Sequence, residues 1–319
     1  MTDPITPAVS PCLALPEQSA ALLSRVSAEA ENAGNPESEE SQVSEIVPLP
    51  VKNIALKIAY DGTEFRGWQR QPRGLRTVQG CIEDAVESLV FPDGTPISRR
   101  PEQPDWPVIE VKGSSRTDAG VHALGQVAAF KTNRDIKPKS WAGALNSRLP
   151  KDIRIVESWQ VADDFNPIGD TKRKRYRYVY YNGSDLRGSL FLHTHGWGVH
   201  GPLDIAAMRS GGEMLVGTHD FYGFVNSGGK REDTVRTILD LSIQPAVCPR
   251  TGVELTILEV EGTGFLYNMV RIIAGTLAYI GKGKLPVECI EQMIQQRNRA
   301  LGGITAPPGG LFLVQIWYE

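Results

Sequence analysis

Gly113-Ser114-Ser115-Arg116-Thr117-Asp118-Ala119-Gly120-Val121-His122-Ala123 is the most informative stretch of the chain. It holds one carboxylate, Asp118, with Arg116 two residues before it and Gly120 two after. The apolar run Val108-Ile109-Glu110-Val111 precedes it, and Gln126-Val127-Ala128-Ala129-Phe130 follows. The stretch therefore reads as a tight loop between two strands, with the acid on the loop. Loops carried by rigid strands are where proteins tend to place chemistry. A guanidinium close to Asp118 would favour its ionised form. An ionised carboxylate acts as a nucleophile or a base. Gly120 suits a backbone position with positive φ or a close ligand approach. The spacing fits an ordinary turn as well, because Asp is frequent in turns.

Around this loop the chain alternates strand and helix signals. Ile54, Leu56, Ile58 and Tyr60 alternate with Ala55, Lys57 and Ala59, the period of a strand. Asp61-Gly62 breaks it, and a loop with Gly67-Trp68-Gln69 follows. Thr77 reads as an N-cap for a helix whose apolar face is Val78, Ile82, Ala85, Val86 and Leu89. Residues 92–107, with five prolines, read as a surface insertion. A helix is expected over Pro138–Ser147 and a strand over Ile153–Val161. Further strands are expected at Arg175–Tyr181, Val235–Gln244, Val253–Glu261 and Leu311–Tyr318. Helices are expected from Leu203, over Leu266–Ile280, and from Val287 to Arg299. Each half mixes several strands with two helices. We infer an α+β protein of two similar halves, 52–165 and 166–319, behind a tail at 1–51.

Composition bounds what the protein does. Its hydrophobic content of 41% and charged content of 22% are those of an ordinary globular protein. Formal net charge is −3, which argues against a strongly basic nucleic-acid binder. That figure is uneven. Residues 1–50 hold eight acids and one base, a net −7, so the remaining residues carry +4. The Glu-, Ser-, Ala- and Pro-rich tail has the composition of disorder. It lacks the Arg-rich character of a transit peptide. No apolar run is long enough to cross a membrane. Cys12, Cys81, Cys248 and Cys289 are far apart and read as free thiols. A cytoplasmic protein is expected; an organellar address stays open.

Several other clusters are candidates for chemistry. Lys172-Arg173-Lys174-Arg175-Tyr176-Arg177-Tyr178 joins five cations to two aromatics, which suits phosphate contacts and base stacking. On a strand, Arg175 and Arg177 face one way and Tyr176 and Tyr178 the other. A solvated basic edge strand is the competing explanation. Arg66, Arg70, Arg73 and Arg76 surround Trp68, with Arg99 and Arg100 beyond, a pattern that also occurs in single-strand binders. His193, His195 and His200 form the one histidine grouping in the sequence. Without a nearby carboxylate or Cys they read as loop or core residues rather than metal ligands. Gly262-x-Gly264 lacks the rest of a phosphate loop. Arg271 lies among apolar neighbours in a helix, where its charge needs a partner. Asp118 is one candidate partner; snorkelling to water is the alternative.

Taken together, these segments resemble the TruA family of tRNA pseudouridine synthases, over nearly all of Lys52 to Glu319. The anchors are Tyr60-Asp61-Gly62, Gly67-Trp68-Gln69, Arg116-Thr117-Asp118-Ala119-Gly120-Val121-His122, Lys174-Arg175-Tyr176-Arg177-Tyr178, Asn268-Met269-Val270-Arg271 and Gly310-Leu311. Ser115 stands where the family usually has Gly. The resemblance implies a cofactor-free isomerase that makes pseudouridine in the anticodon stem-loop, around tRNA positions 38 to 40. It implies a continuous antiparallel sheet flanked by helices, a catalytic cleft between the halves, and a homodimer without membrane attachment. It matches Asp118 to the nucleophile, Arg116 to base flipping, Tyr176 to the active-site tyrosine and Arg271 to the acid's basic partner. Arg175 and Arg177 are then expected to bind RNA. Arg134 is expected to make a further RNA contact, with Lys137 as the other candidate. The rivals are a tRNA-binding or tRNA-folding protein of the same fold with reduced catalysis, and a small-molecule hydrolase with Asp118 as base.

Overall fold

A computed structural model of the protein describes residues 50–71, 74–91, 109–226 and 233–319. Residues 1–49 of the tail, the Pro-rich insertion and Arg73, Arg99 and Arg100 fall outside the described residues. Ten strands form one mixed, mostly antiparallel sheet. In chain order they are β1 (Lys52–Tyr60), β2 (Lys112–Gly113), β3 (His122–Thr132), β4 (Ile153–Val161), β5 (Arg173–Asn182), β6 (Trp197–Val199), β7 (Gly217–Asp220), β8 (Val235–Val247), β9 (Glu254–Gly262) and β10 (Leu311–Trp317). The spatial order is β4-β1-β3-β10-β5-β9-β8-β7, with β2 on β3 and β6 on β5. β10 thus sits mid-sheet, parallel to β3 and antiparallel to β5. Its ladder to β3 has two paired positions, Phe312 with His122 and Leu313 with Ala123.

The helices are α1 (Val78–Val90), α2 (Trp141–Asn146), α3 (Leu186–Phe191), α4 (Ile205–Glu213), α5 (Met269–Gly281) and α6 (Cys289–Gln295). The Thr77 hydroxyl accepts from the Gly80 N–H, so the expected N-cap of α1 forms. The helix expected over Pro138–Ser147 divides into a 3-10 turn at Pro138–Ser140 and α2. α5 starts later than its apolar period, because Asn268 adopts φ +61 and interrupts the helical backbone. α6 stops at Gln295 rather than Arg299, because Arg297 turns to φ +52. β8 continues through Pro245. β7 pairs only Val235–Asp240's first residues, up to Ile238, so Pro245 lies on an open edge where its missing N–H costs no bond. α3, β6 and β7 arise in segments whose Gly content and short length hide any period.

One continuous core runs under the sheet. It joins Ile54, Leu56 and Ile58 of β1 to Tyr176, Tyr178 and Tyr180 of β5 and to Ile272, Ile273 and Leu277 of α5. Each fully buried Ile or Leu there contributes about 1.5–3 kcal/mol. The Tyr180 hydroxyl donates to the Ala274 carbonyl at 2.9 Å, fixing α5 on the tyrosine face of β5. A second, smaller cluster of Val179, Tyr181, Leu255 and Ile257 covers part of the opposite face.

Candidate active site

The Asp118 loop leaves β2 and enters β3, where its sequence placed it. Gly120 has φ +78, and a Cβ there would meet Pro308 at 3.0 Å. The turn closes through Val121 N–H to the Asp118 carbonyl at 3.1 Å. The Trp68 N–H donates to the Thr117 carbonyl at 3.0 Å, tying the loop to the segment after β1. The Tyr60 and Thr117 hydroxyls bond at 2.7 Å. Gln126, fully buried on β3, clamps Ser115 from both sides. Its amide donates to the Ser115 carbonyl at 2.5 Å and its oxygen accepts the Ser115 N–H at 3.3 Å. The Lys174 ammonium donates to the Ser114 carbonyl at 2.8 Å. Tyr60, Gln126 and Lys174 were missed as site residues in the sequence. The signals were Tyr60 and Lys174 inside the anchoring strings and a polar Gln126 at the head of an apolar run.

Asp118 meets Arg271 across 153 positions of sequence. Arg271 Nη1 donates to Asp118 Oδ2 at 2.9 Å, and the two side chains are 16% and 23% exposed. Arg271 does not snorkel. Its Nε donates to the Ala306 carbonyl at 2.8 Å, and Nη1 also reaches Asn268 Oδ1 at 2.9 Å. The guanidinium is therefore held from α5 and from the segment before β10. Asp118 Oδ1 has no hydrogen-bond partner among the described residues. One oxygen is gripped and the other is free.

Tyr176 lies beneath the same loop. Its hydroxyl bonds Ser115 Oγ at 2.8 Å, and its ring meets Phe265 edge-on at 5.2 Å. Burial, with a smaller contribution from the Asp118 charge, pushes its phenol up to about 12. The phenol is neutral at physiological pH, so it serves as a hydrogen-bond group rather than a base. Burial alone pulls Lys174 down to about 8.

The other expected residues are placed differently. Arg116 is exposed beside Asp118, with no bonded partner among the described residues. Arg175 and Arg177 do not join Asp118. β5 is interior, between β10 and β9, so edge protection does not explain its charges. Its alternation turns both arginines away from Tyr176. Arg175 bonds Glu261 at 2.7 Å and Arg177 bonds Glu259 at 2.7 Å, each through two nitrogens. Both arginines are thus ion-paired across the sheet, and Glu261 is shared between Arg175 and Arg173. Arg134 is exposed two residues beyond β3, whose 11 residues span about 35 Å. It lies at the opposite end of that strand from Asp118. Trp68 is 2% exposed, so it packs rather than stacks a base. Arg70 pairs with Glu83 and Asp84, and Arg76 with Asp152.

The histidine grouping is rearranged. His195 leaves His193 and His200 and joins His122 and Asp61. His122 Nδ1 is 3.2 Å from Asp61 Oδ1, and His195 Nε2 is 3.1 Å from Asp61 Oδ2. Hydrogen bonds from His122 first, then His195, hold the Asp61 carboxyl far below the usual range. The carboxylate missing from the sequence neighbourhood is supplied by the turn after β1. The two rings stack at 4.6 Å and 18°. The polar atoms of Asp61, His122 and His195 lie within 4.8 Å of one another. His122 Nε2 also reaches the Thr194 carbonyl at 2.8 Å, tying the start of β3 to the second half of the chain.

Comparison with known proteins is consistent across the chain. The profile of a family described as tRNA pseudouridine synthase matches residues 57–166 and 213–319. Asp118, Arg116, Arg134 and Arg271 lie within the matched stretches; Tyr176 lies between them. The tRNA pseudouridine synthase A of Thermoanaerobacter sp. (strain X514) is 38% identical over 268 residues, 84% of this chain and 100% of the relative. The enzymes of that name from Geotalea uraniireducens and Acetivibrio thermocellus are 40% and 41% identical, again over 84% of this chain and 100% of the relative.

Proposed function

The chain belongs to the tRNA pseudouridine synthase family, and from that membership we propose that Asp118 is the nucleophile of its reaction. The protein is an isomerase that converts uridine to pseudouridine in tRNA. The N–C bond between uracil and ribose breaks, and a C–C bond to the same base replaces it. This needs an oxygen nucleophile at the sugar, a pocket that retains the detached base, and little competing water. The observation that carries the assignment is the Asp118 carboxylate, with Oδ2 on Arg271 and Oδ1 unengaged. Arg271 aims the group by holding Oδ2 at 2.9 Å.

A base in a stack cannot present its sugar to Asp118, so it is extruded at a cost of a few kcal/mol. Arg116, exposed on the loop and unpaired among the described residues, takes the vacated place. Tyr176 forms the floor against which the uracil packs. Arg134 contacts RNA far from the reacting nucleotide. Arg175 and Arg177 stiffen β5 through their glutamates. The halves 52–165 and 166–319 flank the cleft. The target is the anticodon stem-loop around tRNA positions 38 to 40, and the protein acts as a cytoplasmic homodimer. Among the described residues no helix is long and apolar enough to cross a membrane.

Tritium release from tRNA carrying 5-tritiated uridine tests the reaction. We expect release from wild type and none from Asp118→Asn. Binding without release by wild type would favour a tRNA-folding protein instead. Mapping pseudouridine in that tRNA tests the 38–40 assignment, and light scattering on the eluted protein tests the dimer.

A further inference from the structure

Among the described residues Arg299 is a charged group without an anion. It opens the 3-10 turn Arg299–Leu301 that follows α6. It is half-buried, and its Nε is covered with no hydrogen-bond partner. One long contact serves it, from Nη2 to Thr305 Oγ1 at 3.4 Å. No carboxylate pairs with it among the described residues. Its neighbours in the fold are treated otherwise: Arg271 has Asp118, and Arg297 has Asp220. Burying an arginine without a counter-charge is costly. The cost is recovered when an anion arrives.

The place of Arg299 says which anion. The segment after it runs along α5 toward the catalytic pair. Gly303 N–H donates to Thr276 Oγ1 at 3.1 Å, and Ala306 N–H donates to the Arg271 carbonyl at 3.1 Å. Thr305, which Arg299 touches, is thus the residue before the one that holds Arg271. The Thr305 hydroxyl donates onward to Asn226 Oδ1 at 3.1 Å. A planar guanidinium, a hydroxyl and an amide form one chain of contacts, and the next residue, Ala306, holds the Arg271 that pairs with Asp118. Planar, forked donors match the oxygens of a phosphodiester.

We propose that Arg299, supported by Thr305 and Asn226, binds a backbone phosphate of the RNA next to the everted nucleotide. The assignment rests on the tRNA reaction proposed above and adds to it a phosphate subsite. By fixing the strand beside the target, the subsite sets how far the ribose enters the cleft. Phosphate contacts position a nucleic acid without reading its sequence.

The test is an anticodon stem-loop RNA in which one phosphate at a time becomes a neutral methylphosphonate. Binding is measured in full-length protein carrying Asp118→Asn, so that the RNA is not turned over. We expect one replacement beside the target nucleotide to weaken binding by roughly tenfold, about 1.4 kcal/mol. In protein that also carries Arg299→Met the same replacement has no further effect, while the penalties elsewhere persist. Arg299→Lys restores part of the sensitivity. A flat map beside the target overturns the proposal without reference to any Arg299 variant. An equal penalty at that position with and without Arg299→Met overturns it too. If Asp118 is not the nucleophile, turnover by Asp118→Asn reveals that separately, and the binding map is unaffected.

Discussion

Replacing Asp118 by Asn keeps the side chain's size and removes its charge. Arg271 then loses its counter-ion, and the free oxygen loses its nucleophilicity. We expect turnover by Asp118→Asn and Asp118→Ala to fall on the order of a thousandfold or more, with tRNA binding retained. Residual turnover within about tenfold of wild type in a single-turnover assay would remove Asp118 from its role. Lys174 gives a second test at this scale. Its folded pKa of about 8 lies below its ordinary 10.5. Between those values the unfolded chain binds more protons than the folded one, so Lys174 adds stability as pH rises through that window. Urea midpoints of wild type minus Lys174→Met should therefore increase from pH 8 toward pH 10. A flat or falling difference would show that the amine is not desolvated as described. The residue-level reading of the sequence reached Asp118 and Arg271 because both carry chemistry in their own letters. It did not reach Gln126 or Asp61, whose roles exist only once β1 and β3 lie side by side.

The Asp118 loop is an element held by backbone and side-chain hydrogen bonds on both sides, and its glycine is the sensitive point. Gly120→Ala imposes φ +78 on a residue with a Cβ and presses it on Pro308 at 3.0 Å. We expect a loss of about 1–2 kcal/mol in denaturant unfolding, and a larger loss of turnover than of RNA binding. β5 shows how alternation was legible while pairing was not. Its sequence told which side chains share a face. It could not tell that Glu259 and Glu261, on β9, would meet the arginines. If those pairs are structural, Arg177→Met leaves the salt dependence of tRNA binding unchanged. A slope smaller by about one would mean that Arg177 meets a phosphate after all.

At the scale of the molecule, the strands and helices with clear periods appear close to where the sequence put them. The order in which the strands sit was not legible. Nothing local in Leu311–Trp317 says that it passes between β3 and β5. That placement comes from long-range burial of Leu311, Leu313 and Ile316. The outcome is an uneven sheet. β1 and β3 share eight paired positions, whereas β3 and β10 share two. Hydrogen exchange should find the backbone amides of the β3–β10 pairing opening well before those of β1 and β3. Equal protection at both would mean that side-chain packing secures the join as firmly as a full ladder. The join includes His122, four residues from Asp118. A platform stitched so lightly along its midline has a built-in crease, and the crease begins four residues from the Asp118 carboxylate.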